Sequence, residues 1–179
     1  MKKVSRAIGR VVFHLLRFFL RFLEATFVRV YMPMYVSLLK FYGVKFTGKP
    51  RYISTKVKFD DFDRVELGER VVISENVIML THDYSLTTGL IAINKQPATD
   101  MAFIKPITIK SNVFIGMNSL ILPGTIIHEN VIIGASSVVR GVIPADSIVI
   151  GNPAAVVGKL TDQAKKWEKN LGNAELSID

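Results

Sequence analysis

The stretch "ITIKSNVFIGMNSLILPGTIIHENVIIGASSVV", residues 107–139, places an aliphatic side chain at every sixth position. A helix has a period of 3.6 residues and a strand a period of two, so a strict period of six fits neither. It fits short strands joined by turns, whose inward side chains are buried only when successive units stack. Three such units in each coil predict a triangular β-helical prism.

The same frame continues upstream of this stretch, across a gap. Its aliphatic positions are Leu67, Ile73, Met79, Ile109, Ile115, Ile121, Ile127, Ile133 and Val139. Ile53, Phe59 and Val65 have the same spacing and predict an earlier coil, displaced by two residues from the later frame.

With the ending "GNPAAVVGK", residues 151–159, the repeat resembles the hexapeptide-repeat acyltransferases, and most closely their galactoside and capsule-polysaccharide O-acetyltransferases. The resemblance covers residues 53–159. It implies a left-handed parallel β-helix, here expected over residues 44–160, a homotrimer, and acetyl-CoA as the acetyl donor. A short C-terminal helix follows in 161–179, with Thr161 as its expected N-cap and residues 172–179 expected to fray.

The repeat is interrupted after Met79, and residues 85–106 are expected to form an extruded loop, which is usually a functional feature. The resemblance implies that the essential histidine beside this loop is His82. A histidine suits the removal of a hydroxyl proton near neutral pH. Asp83 is a candidate to orient the imidazole, and a turn hydrogen bond is the alternative role.

The resemblance also implies which residues contact acetyl-CoA. By position, the pantetheine arm would lie against Phe114, Met117, Ala135 and Ser136, although Phe114 could equally be a core residue. Arg140 and Lys159 are candidates for the anionic end of the coenzyme, because the basic positions of the family are otherwise occupied by Gly141 and Ala155. Asn152 and Pro153 are expected to turn the chain beside the adenine.

Residues 1–43 predict a basic amphipathic helical segment. Residues 1–51 carry eleven Lys and Arg against one acid, Glu24, whereas the rest of the chain is nearly neutral. Cationic and polar residues recur every three or four positions beside a wide Leu and Phe face. Pro33 is expected to kink or end the first helix, and the piece "MYVSLLKFYG" then runs to a stop at Gly43.

The arginines in this segment argue against both a transmembrane span and a secretory signal. Two roles remain for the apolar face, namely contact with an anionic membrane surface or packing on the oligomer. We expect a cytoplasmic protein, possible peripheral contact with the inner membrane face through residues 1–30, and retained transfer to a soluble acceptor after deletion of these residues.

The residue types exclude several classes of site. The chain has no cysteine, so it has no disulfide, thiol nucleophile or Cys-based zinc site. His14, His82 and His128 occupy different positions of the pattern, which argues against a three-histidine metal site. Nucleic-acid binding is disfavoured because the basic charge lies on a helix with a Phe and Leu face.

The sequence therefore predicts an O-acetyltransferase acting on a sugar hydroxyl of a surface-polysaccharide or lipid-linked glycan precursor. Two alternatives remain open. One is a drug-modifying acetyltransferase of the chloramphenicol or streptogramin type, and the other is a catalytically silent, membrane-tethered β-helix scaffold.

Overall fold

A computed structural model describes the backbone of residues 2–171, the side chains of residues 11–171 and the surroundings of Gly9. Four helices lie outside the prism. They are α1 (Lys2–Thr26), α2 (Val28–Phe41), α3 (Ser85–Ala92) and α4 (Leu160–Asn170).

Short strands build the body of the molecule in successive coils. The first two coils contain β1 (Lys45–Phe46), β2 (Tyr52–Ile53), β3 (Lys58–Phe59), β4 (Val65–Leu67), β5 (Val72–Ile73) and β6 (Ile78–Met79). The excursion contains β7 (His82–Asp83) and β8 (Phe103–Ile104). The remaining coils contain β9 (Ile107–Ile109), β10 (Val113–Ile115), β11 (Leu120–Ile121), β12 (Ile126–Ile127), β13 (Val131–Ile133), β14 (Val138–Val139), β15 (Val142–Ile143), β16 (Ser147–Gly151) and β17 (Ala154–Lys159).

The coils stack into a left-handed parallel β-helix with three faces. Sheet A has the order β1-β4-β9-β12-β15, sheet B has β2-β5-β10-β13-β16-β17, and sheet C has β3-β6-β11-β14. All pairs in these sheets are parallel except β16 with β17, which closes the prism as an antiparallel pair.

The predicted period-six frame is confirmed by the strand register. Ile115 pairs with Ile73 and Ile133, and Ile121 pairs with Met79 and Val139. All nine predicted frame positions are fully buried. Corner residues such as Asn112 and Asn130 adopt positive φ, and the side-chain amide of Asn112 donates to Asn130 Oδ1 at 2.7 Å. The column is therefore held by aliphatic packing inside and by repeated turns outside.

The predicted two-residue displacement is real, and the structure locates it. Ile53 pairs with Ile73 and Phe59 with Met79, as the earlier coil requires. Leu67 rather than Val65 then takes the frame position, because Val65 pairs with Ile107 and Leu67 with Ile109. The extra residues are accommodated by a 3-10 turn at Phe62–Arg64.

The N-terminal helices differ from the sequence prediction in where they break. The break falls at Phe27, whose backbone is not helical, and Pro33 lies inside α2. The prediction that Pro33 would kink or end the first helix is therefore wrong. Glu24, at the end of α1, is bound to the prism, whereas Tyr31 of α2 is fully buried and its hydroxyl donates to Ile53 O. These two attachments fix the helices on either side of Phe27.

The predicted stop at Gly43 is confirmed, since this residue has φ +114° after the last turn of α2. Thr161, in contrast, is not the N-cap of α4, which begins at Leu160. The carboxylate of Asp146 accepts hydrogen bonds from the backbone N–H and the hydroxyl of Thr161, both at 2.8 Å. Residues 172–179, predicted to fray, lie outside the described residues.

Candidate functional site

His82 lies where the chain leaves the prism. It follows β6 at the corner between sheets C and A, and it pairs across to Ile104 in the antiparallel ladder of β7 and β8. The segment 85–106, predicted to be an extruded loop, includes the helix α3 and the strand β8. About a quarter of the His82 side chain remains exposed. The ring is therefore both supported by the prism and accessible.

Asp60 holds the imidazole of His82 from the coil below. Its Oδ2 lies 2.8 Å from His82 Nδ1 and accepts the backbone N–H of His82 at 3.2 Å. The backbone N–H of Thr81 also donates to it at 3.2 Å. Burial acts to raise the pKa of the Asp60 carboxyl, but the hydrogen bonds from His82 and Thr81 outweigh it, so the net pKa lies below the ordinary 3.8.

A carboxylate that accepts from Nδ1 fixes the tautomer of the ring. It places the proton of the neutral imidazole on Nδ1 and leaves Nε2 as the unprotonated nitrogen. Nε2 faces Asp61 at 3.4 Å, and Asp61 is paired with Arg64 Nε at 3.2 Å. Carboxylates thus lie near both ring nitrogens, an arrangement that would stabilise the imidazolium formed if Nε2 accepts a proton.

Asp83, the predicted partner of His82, makes a different contact. Its Oδ1 accepts the backbone N–H of Ser85 at 2.9 Å at the start of α3. Hydrogen bonds from the side chain and backbone of Ser85 lower the pKa of this exposed carboxyl. Asp60, rather than Asp83, contacts the imidazole. Sequence reasoning missed Asp60, and the only signal was the two-residue displacement that follows Phe59.

A cleft of about 860 Å³ opens between His82 and the N-terminal helix. Gly9, Phe13, His14 and Arg17 of α1 line one side of it, and the segment from Lys58 to Arg64 lines the other. Phe13 anchors α1 there, because its ring packs 4.8 Å from that of Phe62 and 5.0 Å from that of Tyr42.

The residues predicted to contact the coenzyme lie mostly on a different edge. Phe114 is on the outer side of sheet B, and Met117, Ala135 and Ser136 follow that sheet at its corner with sheet C. All four are exposed. One prism therefore does not bring this group to the corner that carries His82.

The other predicted coenzyme residues are placed nearer the C-terminal end. Arg140 follows β14 on the same corner as His82, two coils further along. Asn152 and Pro153 form the turn between β16 and β17, and Lys159 ends β17.

The outer surfaces of sheets B and C carry apolar columns. On sheet B the column contains Tyr52, Val72, Phe114, Ile132 and Ile148, and on sheet C it contains Ile78, Leu120 and Val138 above Lys58. The corresponding column of sheet A contains Lys45, Glu66 and Thr108, followed by Ile126 and Val142. The outer columns of sheets B and C are thus more continuously apolar than that of sheet A.

Comparison with known proteins finds the same repeat elsewhere. Residues 106–141 match the family model described as bacterial transferase hexapeptide (six repeats). A protein of Escherichia coli strain K12, described by its name as a lipopolysaccharide biosynthesis O-acetyl transferase, WbbJ, is 30% identical over 130 residues, covering 71% of this chain and 66% of that protein.

The galactoside O-acetyltransferase of the same organism is 30% identical over 136 residues, covering 75% of this chain and 62% of that enzyme. The chain thus spans less than two thirds of the length of the curated relatives it matches. Among solved structures, a galactoside acetyltransferase in complex with coenzyme A has a TM-score of 0.61 at 23% identity, covering 89% of this chain and 84% of that one.

Proposed function

Because the chain belongs to the hexapeptide-repeat acetyltransferase family, we propose that it transfers acetyl from acetyl-CoA to a sugar hydroxyl, with His82 as the general base. The observation that carries the proposal is the His82 ring itself. It stands at the point where the repeat is interrupted, Asp60 holds its Nδ1 at 2.8 Å, and the residue lines a cleft.

In the proposed reaction the acceptor hydroxyl lies at Nε2. Its proton moves to Nε2 as its oxygen forms a bond to the thioester carbonyl carbon. The carbon–sulfur bond of the resulting tetrahedral intermediate then breaks, and the proton passes from Nε2 to the sulfur of CoA. Asp60 stabilises the imidazolium that exists between these steps. Direct attack needs no covalent acyl-enzyme, so the chain requires no nucleophilic side chain.

Acetyl-CoA is the donor in this proposal, and a homotrimer completes its site. Phe114, Met117, Ala135 and Ser136 lie on one edge of the prism and His82 on another. A neighbouring prism can bring the two edges together, and the apolar columns of sheets B and C favour such a contact. The galactoside acetyltransferase of this fold was solved with coenzyme A, and binding through Arg140, Asn152, Pro153 and Lys159 here remains part of the proposal.

The acceptor class follows from the relatives. One is named for lipopolysaccharide biosynthesis and another for galactosides. A sugar of a surface-polysaccharide or lipid-linked glycan precursor therefore fits best.

The outer face of α1 supports contact with a membrane. Phe18, Phe19 and Phe22 are each about 70% exposed, whereas Phe13 and Leu20 on the opposite face are buried against the prism. None of the helices in residues 2–171 combines the length and the hydropathy needed to cross a bilayer. A helix with an apolar outer face beside cationic residues such as Arg21 suits an anionic bilayer surface, so we assign α1 a peripheral membrane role.

Thiol release from acetyl-CoA in the presence of a panel of hexosides tests the reaction. His82→Ala should lower the rate by about two to four orders of magnitude, and the exposed His128→Ala, which lies on another coil, should retain it. Chloramphenicol in the same assay distinguishes a drug-modifying enzyme. A wild-type protein that transfers acetyl to no acceptor would be a scaffold, which would refute the proposal.

A further inference from the structure

α1 has two faces with different surroundings. Phe18 and Phe22 point away from the prism and are exposed, whereas His14 and Arg17 line the cleft that contains His82. The same helix therefore borders both the candidate reaction site and the surface assigned to the membrane.

We propose that this cleft is the acceptor subsite, and that it takes a neutral glycosyl unit carried on a membrane lipid, with His14 and Arg17 contacting the sugar. The inference rests on the proposed function and identifies the acceptor more closely.

The charges of the cleft fit a neutral, hydroxyl-rich ligand. Among its described lining residues, three carboxylates face three permanent cations: Asp60, Asp61, Asp63, Arg17, Lys58 and Arg64. A ligand with a diphosphate would gain no net attraction from such a balanced set. Sugar hydroxyls both donate and accept, so they can bond to groups of either sign.

Size and available donors also fit a sugar. A cleft of about 860 Å³ is large enough for more than one sugar ring. Arg17 Nη1 donates to Val57 O at 3.4 Å, which leaves other N–H groups of the guanidinium for a ligand. His14 is exposed on the same wall, and its ring lies 5.7 Å from that of Phe13.

The position of the cleft favours an acceptor held at the bilayer. His14 on the cleft and Phe18 on the exposed face are one turn apart along α1, so the cleft adjoins the exposed Phe face. A glycosyl unit attached to a lipid headgroup can therefore reach the cleft without leaving its membrane.

The test uses the full chain and four proteins: wild type, His14→Ala, Arg17→Met and the control Arg21→Met, whose side chain is one turn further along α1 and does not line the cleft. The acceptors are methyl hexosides in solution, dodecyl hexosides in vesicles of phosphatidylcholine and phosphatidylglycerol, and UDP-hexoses. The KM values for acceptor and acetyl-CoA are measured separately.

His14→Ala and Arg17→Met should each raise the KM for a methyl hexoside about tenfold, since each loses a polar contact to the sugar. The KM for acetyl-CoA should not change, and Arg21→Met should match wild type with the methyl hexosides in solution. Wild type should prefer dodecyl hexosides in vesicles to methyl hexosides and to UDP-hexoses.

An unchanged acceptor KM in both variants would overturn the subsite, and preference for a UDP-hexose would overturn the neutral lipid-borne acceptor. If Arg17→Met does not fold, the exposed His14→Ala decides the first point. Failure of the wild type to acetylate any hexoside would instead overturn the proposed function.

Discussion

Asp60 Oδ2 lies 2.8 Å from Nδ1 of His82, although 22 residues separate them in the chain. The contact exists because the 3-10 turn after Asp61 widens the corner of one coil directly below the corner of the next. The pairing thus depends on the stacking of the prism and on an irregularity in it.

Asp60→Asn should lower kcat about ten- to a hundredfold with little change in either KM, because the amide can no longer stabilise an imidazolium. Glu69→Gln is the control, since Glu69 is an exposed carboxylate that does not line the cleft. Steady-state kinetics with the best hexoside provide the measurement. Equal losses in the two variants would contradict a specific role for the Asp60 charge.

The lowered pKa of Asp60 also predicts how stability depends on pH. A depressed folded-state pKa means that the stabilising contacts of the carboxylate are fully present above about pH 3.8, the ordinary value, and are lost as the pH falls through the lower folded pKa. Just above that pH, urea unfolding of wild type and Asp60→Asn should therefore differ by the full contribution of the carboxylate. The difference should shrink in more acid solution, and a difference that grows there would contradict the assignment.

Glu24 attaches the end of α1 to the first coil. Its carboxylate accepts from the Tyr52 hydroxyl at 2.6 Å and from the backbone N–H and hydroxyl of Thr55. Burial, and then the bond to Glu24, raise the pKa of Tyr52 to about 12. Glu24→Ala should lower the free energy of unfolding by about 1–3 kcal/mol, because the buried Thr55 loses its partner.

Chemical denaturation measures this loss, with Arg21→Ala as the control on the exposed side of the same helix. If the two variants were equally stable, the Glu24 contacts would contribute nothing to the attachment of α1.

The apolar outer face of α1 predicts membrane binding that can be removed without disturbing the prism. Phe18→Ser combined with Phe22→Ser should abolish sedimentation with vesicles containing phosphatidylglycerol. Burial of each exposed ring in the membrane interface would contribute about 2 kcal/mol to the free energy of binding. Trp167→Ser is the control, because it removes an exposed aromatic residue on α4, away from this face, and it should leave vesicle binding unchanged.

Substitution is a sharper test than deletion of residues 1–30, because deletion would also remove Phe13, Arg17 and Glu24, which contact the prism. Binding that persists in the double variant would assign the apolar face to another partner.

The apolar column on sheet B predicts the oligomeric state. Ile132→Glu should convert a particle of three chains, each of 20.0 kDa, into a single chain, because it places a charge at the centre of the proposed interface. Thr108→Glu, on the more polar face of sheet A, should leave the mass unchanged. Sedimentation equilibrium separates the two results, and a wild-type monomer would contradict the trimer.

Much of the fold could be predicted because the period of six is visible in the sequence. Leu67, Ile109 and Ile127 follow from that period alone, and even the displaced first coil was evident at Ile53 and Phe59. The break at Phe27 could not be predicted, because it results from the separate attachments of Glu24 and Tyr31 to the prism rather than from helix propensity. Pro33 is tolerated inside α2 for a similar reason, since the packing of this helix on the prism outweighs the one backbone hydrogen bond that the proline cannot make.

The candidate site was predictable only in part. His82 was proposed from the interruption of the repeat together with the family resemblance, but its partner could not be predicted. Adjacent residues suggested Asp83, whereas the coil below supplies Asp60, and sequence distance conceals that contact. Arg17 and His14 belong to the polar side of the predicted amphipathic helix, and it is the packing of α1 on the prism that places them in the same cleft as His82.

Both ends of the prism are partly covered by the chain itself. At the first coil, the Tyr31 hydroxyl donates a hydrogen bond to the Ile53 carbonyl, and Tyr35 is fully buried. At the last coil, β17 runs antiparallel to β16. An open parallel β-helix would present unpaired backbone groups on three sheets and could grow end to end into fibrils. With sheet B ended by β17 and the first coil covered by α2, end-to-end growth is disfavoured, and the oligomer proposed above would form through the sides of the prism.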